Sequence, residues 1–165
     1  MGKWARRAKA LFGEKAASMG QEAVLGEIVN QASTIVADIQ FVMQSCGADD
    51  VGKIELNATG LDLVESFYRR FLRSEGFIEF GVKNFERLMA IMLGACIISI
   101  KGGEWTIYPG KTYVAHPVVV RLNSGRHADV FLMCDELWQK PMVGTDINEG
   151  RLSFFLNNVD IASQP

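Results

Sequence analysis

The sequence predicts an α+β fold in which N-terminal helices pack on a small antiparallel sheet and short C-terminal helices complete the domain. Apolar residues recur at helical spacing from Gln21 to Cys46, which indicates a long amphipathic helix. A second apolar stretch ends at Gly102-Gly103, and β-branched residues follow from Val118 to Val120. Helical periodicity returns near the C-terminus, so the strands lie between two helical regions.

Length and composition fit one soluble domain with no footprint for nucleic acid. The 165 residues are 48% hydrophobic and 22% charged, as in an ordinary globular protein. We divide them into a basic amphipathic segment, residues 1–20, and a single α+β domain, residues 21–160. Seventeen basic against nineteen acidic residues give a net charge of -2, whereas nucleic-acid binding needs a basic face.

Cysteine usage and hydropathy predict a cytoplasmic setting. Cys46, Cys96 and Cys134 lie among apolar residues and show no zinc-ligand spacing. The longest apolar run, Leu88 to Ile100, is shorter than the roughly 20 residues that a membrane span needs. The first residues are basic but lack the apolar stretch of a secretion signal.

The residues from Lys3 to Phe12 have the pattern of a short amphipathic helix. Trp4, Ala8 and Leu11 share one face with Phe12, and most of the basic side chains lie on the other. Such a helix either lies on an anionic membrane surface or is a terminal helix that docks on the domain or frays. The second interpretation is favoured because the segment is short.

The pattern from Gln21 to Cys46 predicts one helix of about seven turns. Its apolar stripe has the members Leu25, Ile28, Ala32, Ile35, Ile39, Val42 and Cys46, widened by Val29, Val36 and Met43. A broad stripe favours a core helix within the domain over a coiled-coil dimer. Gly47 stands where a helix C′ glycine is expected.

The segment from Val51 to Thr59 alternates weakly and is either a short strand or an extended linker. Thr59 and Asp62 resemble a capping box that begins a helix over Gly60 to Ser74. Its predicted inner face has the members Leu61, Val64, Phe67 or Tyr68, and Phe71. Its outer edge carries Arg69, Arg70 and Arg73. Such an edge is usually solvated, and the alternative is that it docks an acidic partner.

A helix from Gly81 or Val82 to Lys101 is predicted to be central because it is apolar nearly all round from Leu88 onward. Its inner positions are Phe85, Leu88, Met89, Met92, Cys96 and Ile100. Gly94 lets a neighbouring element approach closely, and Gly102-Gly103 permits the positive φ that ends the helix. Trp105 is then the first inward residue of the sheet, packed beside Gly94.

Two strands and two helices complete the prediction. The strands run from Glu104 to Tyr108 and from Thr112 to Leu122, with Pro117 at a sheet edge or a strand start. Pro109-Gly110 and Asn123-Ser124-Gly125 are turns. The helices run from Ala128 to Lys140 and from Arg151 to Val159, with a strand as the alternative for the second.

The sequence offers no convergent catalytic cluster, and it predicts no cofactor and no metal. Cys134 falls on an apolar helix stripe, which disfavours a nucleophilic pair with His127. Asp135 and Glu136 diverge by about 100° on a helix. At Lys101-Gly102-Gly103 a helix ends, so its negative end would face a phosphate and repel it.

The segment from Phe85 to Val159 resembles a bacterial family of domains of unknown function. The resemblance is carried by Leu93-Gly94, Lys101-Gly102-Gly103-Glu104-Trp105, His116 to Leu122, Asp129-Val130-Phe131 and Leu152-Ser153-Phe154-Phe155. It implies an α+β fold and a cytoplasmic bacterial protein, without an established activity or functional residue. The acidic residue that recurs after the helix glycine in that family is Ala95 here. Relatives of this general kind include accessory and toxin-immunity proteins.

Three functions remain as expectations. The favoured one is a non-enzymatic protein that binds a protein partner, for example as a toxin-immunity protein, through Arg69, Arg70, Arg73, Asp146 and Glu149, with Trp4 and Asp160 as further surface features. The second is a small-ligand sensor or enzyme with a pocket lined by Trp105, Tyr108, His116 and His127. The third is a membrane-peripheral protein anchored by the residues from Lys3 to Phe12.

Overall fold

The computed structural model describes residues 20–48, 51–71, 82–109, 117–139, 150–163 and 165. Several predictions fall outside these residues: the helix from Lys3 to Phe12 with Trp4, and the candidate residues Arg73, His116, Asp146 and Glu149.

Within the described residues the α+β prediction is confirmed. The helices are α1 (Gln21–Ser33), α2 (Ile35–Ser45), α3 (Ala58–Phe71), α4 (Val82–Lys101), α5 (Val130–Gln139), α6 (Arg151–Asn157) and α7 (Val159–Ala162). The strands are β1 (Glu104–Ile107), β2 (Val118–Arg121) and β3 (His127–Ala128), and they form one sheet in the order β1-β2-β3.

The long helix predicted from Gln21 to Cys46 is interrupted at Thr34, which corrects the prediction of one continuous helix. The Ser33 hydroxyl donates to the Asn30 carbonyl at 2.5 Å, and the Thr34 N–H donates to the Gln31 carbonyl at 3.1 Å. Hydroxyl side chains compete for the backbone in this way and bend helices. The apolar stripe is also narrower than predicted, because Val29 is 48% exposed.

The predicted end of this helical region is confirmed. Gly47 has φ +88°, and its N–H donates to the Gln44 carbonyl at 3.0 Å. The Ala48 N–H donates to the Met43 carbonyl at 3.1 Å. This pair of bonds is a Schellman motif, which satisfies carbonyls that the helix end would otherwise leave without partners.

Helix α3 begins two residues earlier than predicted, and the proposed capping box is wrong. The Gly60 N–H donates to Asn57 Oδ1 at 2.9 Å, so Asn57 caps the helix instead of Thr59. The residues from Val51 to Glu55 lie in no strand, which agrees with the extended-linker alternative. The predicted inner residues Leu61, Val64, Phe67 and Tyr68 are all buried.

Helix α4 has the predicted bounds and the predicted central place. All five side chains from Met89 to Leu93 are buried, and the helix contacts α1, α2, α3, α5, α6 and β2. Leu88 is half-buried and packs against the core, as predicted, but one predicted inner position is corrected, since Ile100 is 51% exposed. Ile100 lies in the last turn, where the neighbouring Ser99 is also exposed, so this end of the helix extends beyond the core.

The helix stop and the sheet follow the predicted order. Gly102 and Gly103 have φ +78° and +119°, which confirms the positive-φ stop. Strand β1 pairs antiparallel with β2, and Trp105 stands opposite Val120. Pro117 directly precedes β2, which agrees with its predicted place at a strand start. The Pro117 carbonyl accepts the Tyr108 N–H at 2.7 Å.

In the C-terminal part of the chain, one helix begins later than predicted and the last predicted helix is interrupted. Strand β3 occupies His127–Ala128, so the helix predicted from Ala128 begins two residues later than predicted. Helix α5 begins only after Asp129, whose carboxylate accepts the Leu132 N–H at 3.1 Å as an N-cap. The last segment is helical, not a strand, and it is interrupted at Asn158.

Candidate functional site

The most distinctive polar group of the described residues is the carboxylate of Glu65 on α3, which is 1% exposed. Its Oε1 accepts the Leu152 N–H at 2.8 Å, and its Oε2 accepts the Gly150 N–H at 2.8 Å. The same Oε2 lies 3.1 Å from Arg69 Nε, one helical turn further along α3. A buried carboxylate needs such partners, because desolvation of an unpaired charge is costly.

The position of Glu65 follows from the sequence at the start of α6. The N-cap residue there is Gly150, which has φ +73° and no side chain to bond the first N–H groups of the helix. Glu65 supplies the missing acceptor from another helix. Its negative charge also lies at the positive end of the α6 dipole. Glu65 therefore joins α3 to α6.

A cleft of about 390 Å³ opens between these two helices, and we call it the α3–α6 cleft. Its lining residues are Asp62, Glu65, Ser66, Arg69 and Gly150. The Ser153 hydroxyl donates to Asp62 Oδ1 at 2.6 Å beside it. The cleft walls are thus fixed by hydrogen bonds between the helices.

The structure brings part of the predicted partner-binding set to this cleft. Arg69 lines it and is oriented by Glu65, while Arg70 is the next residue and is exposed. Glu149 is covalently next to Gly150, although it lies outside the described residues together with Asp146 and Arg73. Asp160 is elsewhere, in an ion pair with Lys101 at 3.8 Å.

Of the three predicted pocket residues that the structure describes, Tyr108 and His127 contact each other. The rings of Tyr108 and His127 contact edge to face, with centroids 5.1 Å apart, and His127 is 8% exposed. The Pro165 main-chain oxygen lies 3.2 Å from His127 Nδ1 and accepts the Tyr108 hydroxyl at 3.4 Å. The chain itself therefore occupies the Tyr108 hydroxyl and His127 Nδ1, two polar atoms that a ligand would use.

Trp105 belongs to a different environment. Its indole lies against Gly94 of α4, where an added Cβ would overlap the ring. This contact confirms the prediction that Trp105 packs beside Gly94. It separates Trp105 from the Tyr108 and His127 pair and gives it a packing role.

The C-terminal residues that lie against His127 are also bound by Arg126, the residue that precedes His127 in the sequence. Arg126 Nε donates to Ser163 Oγ at 2.8 Å, and Arg126 Nη2 donates to the Ser163 carbonyl. Ser163 is 4% exposed. The segment after α7 is thus fastened to the β2–β3 turn.

Burial makes the Cys96 thiol a poor nucleophile. Cys96 and Cys134 are buried, and burial raises the pKa of the Cys96 thiol to about 12. A thiolate at that position is disfavoured at neutral pH. Burial also raises the pKa of Tyr68, whose hydroxyl donates to Glu86 at 2.8 Å, and it lowers the pKa of Arg87.

The sequence prediction did not include Glu65, although its position in the helical pattern indicated that its side chain is buried. It lies four residues after Leu61 and three before Tyr68, so it falls within the apolar stripe of α3. A charged residue in such a stripe is buried with a partner. The partner was not foreseeable, because Gly150 and Leu152 are more than eighty residues away in the sequence.

In the part of the chain that the structure describes, no three His, Cys, Asp or Glu residues are placed to hold a metal ion. No described helix is both long and apolar enough to cross a membrane. Comparisons with protein-family models, curated proteins and solved structures find no match to this chain.

Proposed function

We propose that this chain is a non-enzymatic protein that binds another protein through the surface around the α3–α6 cleft. The observation that supports the proposal is the Glu65–Arg69 pair. Glu65 holds Arg69 at the cleft, which exposed Asp62 and Ser66 also line. Arg70 is the next residue of the same helix and is exposed outside the cleft lining. A guanidinium that is already oriented loses less conformational entropy when a partner carboxylate binds.

The chemistry of the cleft favours binding over catalysis. Both oxygens of the Glu65 carboxylate are engaged by the structure itself, through two backbone N–H groups and Arg69. Asp62 and Ser153 bond to each other, and among the described residues no histidine lines the cleft to activate the hydroxyl. Arg70 and Arg69 favour an acidic patch on the partner.

The setting we propose is the bacterial cytoplasm, with toxin immunity or an accessory role as the concrete version. The support is the resemblance carried by the residues from Phe85 to Val159, together with the free cysteines. A toxin or secretion-system gene beside the coding gene would agree with this version. A metabolic operon would contradict it.

The test is affinity capture from the native host with three forms of the full chain. We expect the wild type to retain one protein in stoichiometric amount and Arg70→Glu to lose it, because the reversed charge repels an acidic patch. Lys53→Glu is the matched control, since Lys53 is 87% exposed and lies outside the cleft. Equal capture by wild type and Arg70→Glu, or no stoichiometric protein, would overturn the proposal.

A further inference from the structure

The sheet formed by β1, β2 and β3 has a second face, opposite the one that packs in the main apolar core. Val118 and Val120 belong to that core, whereas Val119 lies between them and points to the other side. The rings of Tyr108 and His127 lie on the same side as Val119, because side chains alternate along paired strands. Val119 is fully buried and His127 is 8% exposed, so this face is closed to solvent around them.

Side chains at this face hold residues 160–163 and 165, which we call the tail. Arg126 donates from Nε to the Ser163 hydroxyl oxygen at 2.8 Å and from Nη2 to the Ser163 carbonyl. The Pro165 main-chain oxygen accepts the Tyr108 hydroxyl at 3.4 Å. His127 Nδ1 lies 3.2 Å from the same oxygen and donates to it, since a carbonyl oxygen only accepts. These side chains thus bind main-chain oxygens and one hydroxyl, groups that another chain segment can also offer.

The described contacts attach the tail mainly through these hydrogen bonds. Ile161 is 83% exposed and Ala162 is also exposed, so both side chains bury little apolar surface. The ion pair of Asp160 with Lys101 lies at the surface, where such pairs contribute little. The net contribution of each hydrogen bond is small as well, because water replaces it when the tail leaves. The tail is therefore able to exchange with a segment that has the same acceptors.

The conformation of Ser163 shows which kind of segment fits. Ser163 has φ -78° and ψ 158°, so the chain leaves α7 in an extended form close to polyproline II. Such backbone makes no internal hydrogen bonds, and its carbonyls are available to other donors. The Ser163 hydroxyl itself donates to the Asp160 carbonyl at 3.1 Å, which leaves its oxygen to accept from Arg126. The bound unit is thus a hydroxyl residue in extended backbone, with a main-chain oxygen two residues later.

We propose that Tyr108, Arg126 and His127 form a peptide-binding site, which the tail occupies within its own molecule until an extended segment of a partner protein displaces it. The segment carries a serine or threonine for Arg126 and, two residues later, a main-chain oxygen for Tyr108 and His127. The tail is an autoinhibitor, because the apparent affinity for the segment is reduced to the fraction of molecules in which the site is open. This inference is independent of the α3–α6 cleft.

The test follows the Arg126 Nε–H signal of the isotope-labelled full chain by NMR spectroscopy. The probe is a synthetic, C-terminally amidated peptide with the sequence of residues 158–165. We expect Ser163→Gly to bind it several-fold more tightly than the wild type, with a saturable shift of this signal, because the chain's own tail has lost its hydroxyl acceptor. Ile161→Ser is the matched control in the tail and should bind as the wild type does, since Ile161 is 83% exposed. Unchanged amide signals of α4 verify that each variant is folded.

Arg126→Lys identifies the Nε–H signal by its absence and provides a second variant. Lysine keeps the charge but lacks the planar fork of donors. Combined with Ser163→Gly, it should weaken binding of a fluorescent form of the peptide several-fold, as measured by anisotropy. Equal binding by wild type and Ser163→Gly, or no binding by Ser163→Gly at millimolar peptide, would overturn the proposal. So would a wild-type dimer in sedimentation that Ser163→Gly dissociates, because the tail of a second copy would then be the occupant.

Discussion

At the scale of single residues, Glu65 is the group on which the junction between α3 and α6 depends. Its carboxylate substitutes for the capping side chain that Gly150 lacks. Charge-assisted bonds of this kind are shorter and stronger than neutral ones. Because the group is buried, its loss leaves donors without acceptors in a site that water does not reach.

Replacing Glu65 by glutamine should lower the free energy of unfolding by about 2–3 kcal/mol. The amide keeps one acceptor oxygen, and its NH₂ group then faces the N–H of Gly150 or Leu152. Urea unfolding of the full chain measures the difference.

Glu104→Gln is the matched control for that substitution. Glu104 bonds to Arg121, but both side chains are more than half exposed. Exposed ion pairs contribute little, so we expect a change below about 1 kcal/mol. Equal losses in the two variants would contradict the role assigned to Glu65.

At the scale of elements, the fit between α4 and β1 fixes the position of the sheet. Gly94 has no Cβ, and the Trp105 indole fills the space beside it. Gly102 and Gly103 end the helix so that the chain turns back toward its own surface. Strand β1, which follows immediately after α4 ends, therefore covers part of the apolar surface of that helix.

Gly94→Ala and Gly26→Ala should change stability in opposite directions. Both glycines lie inside helices, where alanine gains about 1 kcal/mol of helix propensity. A Cβ at Gly26 meets no atom within 4 Å, so this variant should be stabilised. At Gly94 overpacking against Trp105 should dominate, with a net loss of about 1–3 kcal/mol in thermal or urea unfolding. A stabilised Gly94→Ala would contradict the fit.

Local sequence patterns predicted which helices and strands form more accurately than they predicted the residues at which each begins and ends. The bounds of α4 were predictable because apolar periodicity and two glycines act together within one stretch. The interruption at Thr34 was not, because hydrophobic spacing continues through it while hydroxyl groups bend the backbone. Strand β3 has two residues, too few for any alternation, and only its pairing with β2 defines it. The cap at Asn57 was missed because Thr59 offered an equally plausible pattern nearby.

At the scale of the whole molecule, helix α4 is surrounded by the other elements and the candidate contacts lie at the surface. The α3–α6 cleft combines residues far apart in the sequence, which is why the burial of Glu65 was readable from its helical position but its contact with Gly150 was not. The exposure of Val29 on α1 was missed for a different reason. Val29 extended an apolar stripe, so hydropathy assigned to the core a residue that remains at the surface.

The central claim is that a protein partner binds at the α3–α6 cleft, and photo-crosslinking in the native host tests it most directly. Ser66 is exposed and lines the cleft, whereas Ser124 is exposed in the turn before β3. A photoreactive amino acid at Ser66 should yield one discrete adduct with a single protein, and the same group at Ser124 should not. No adduct at Ser66, or the same adducts at both positions, would contradict the account.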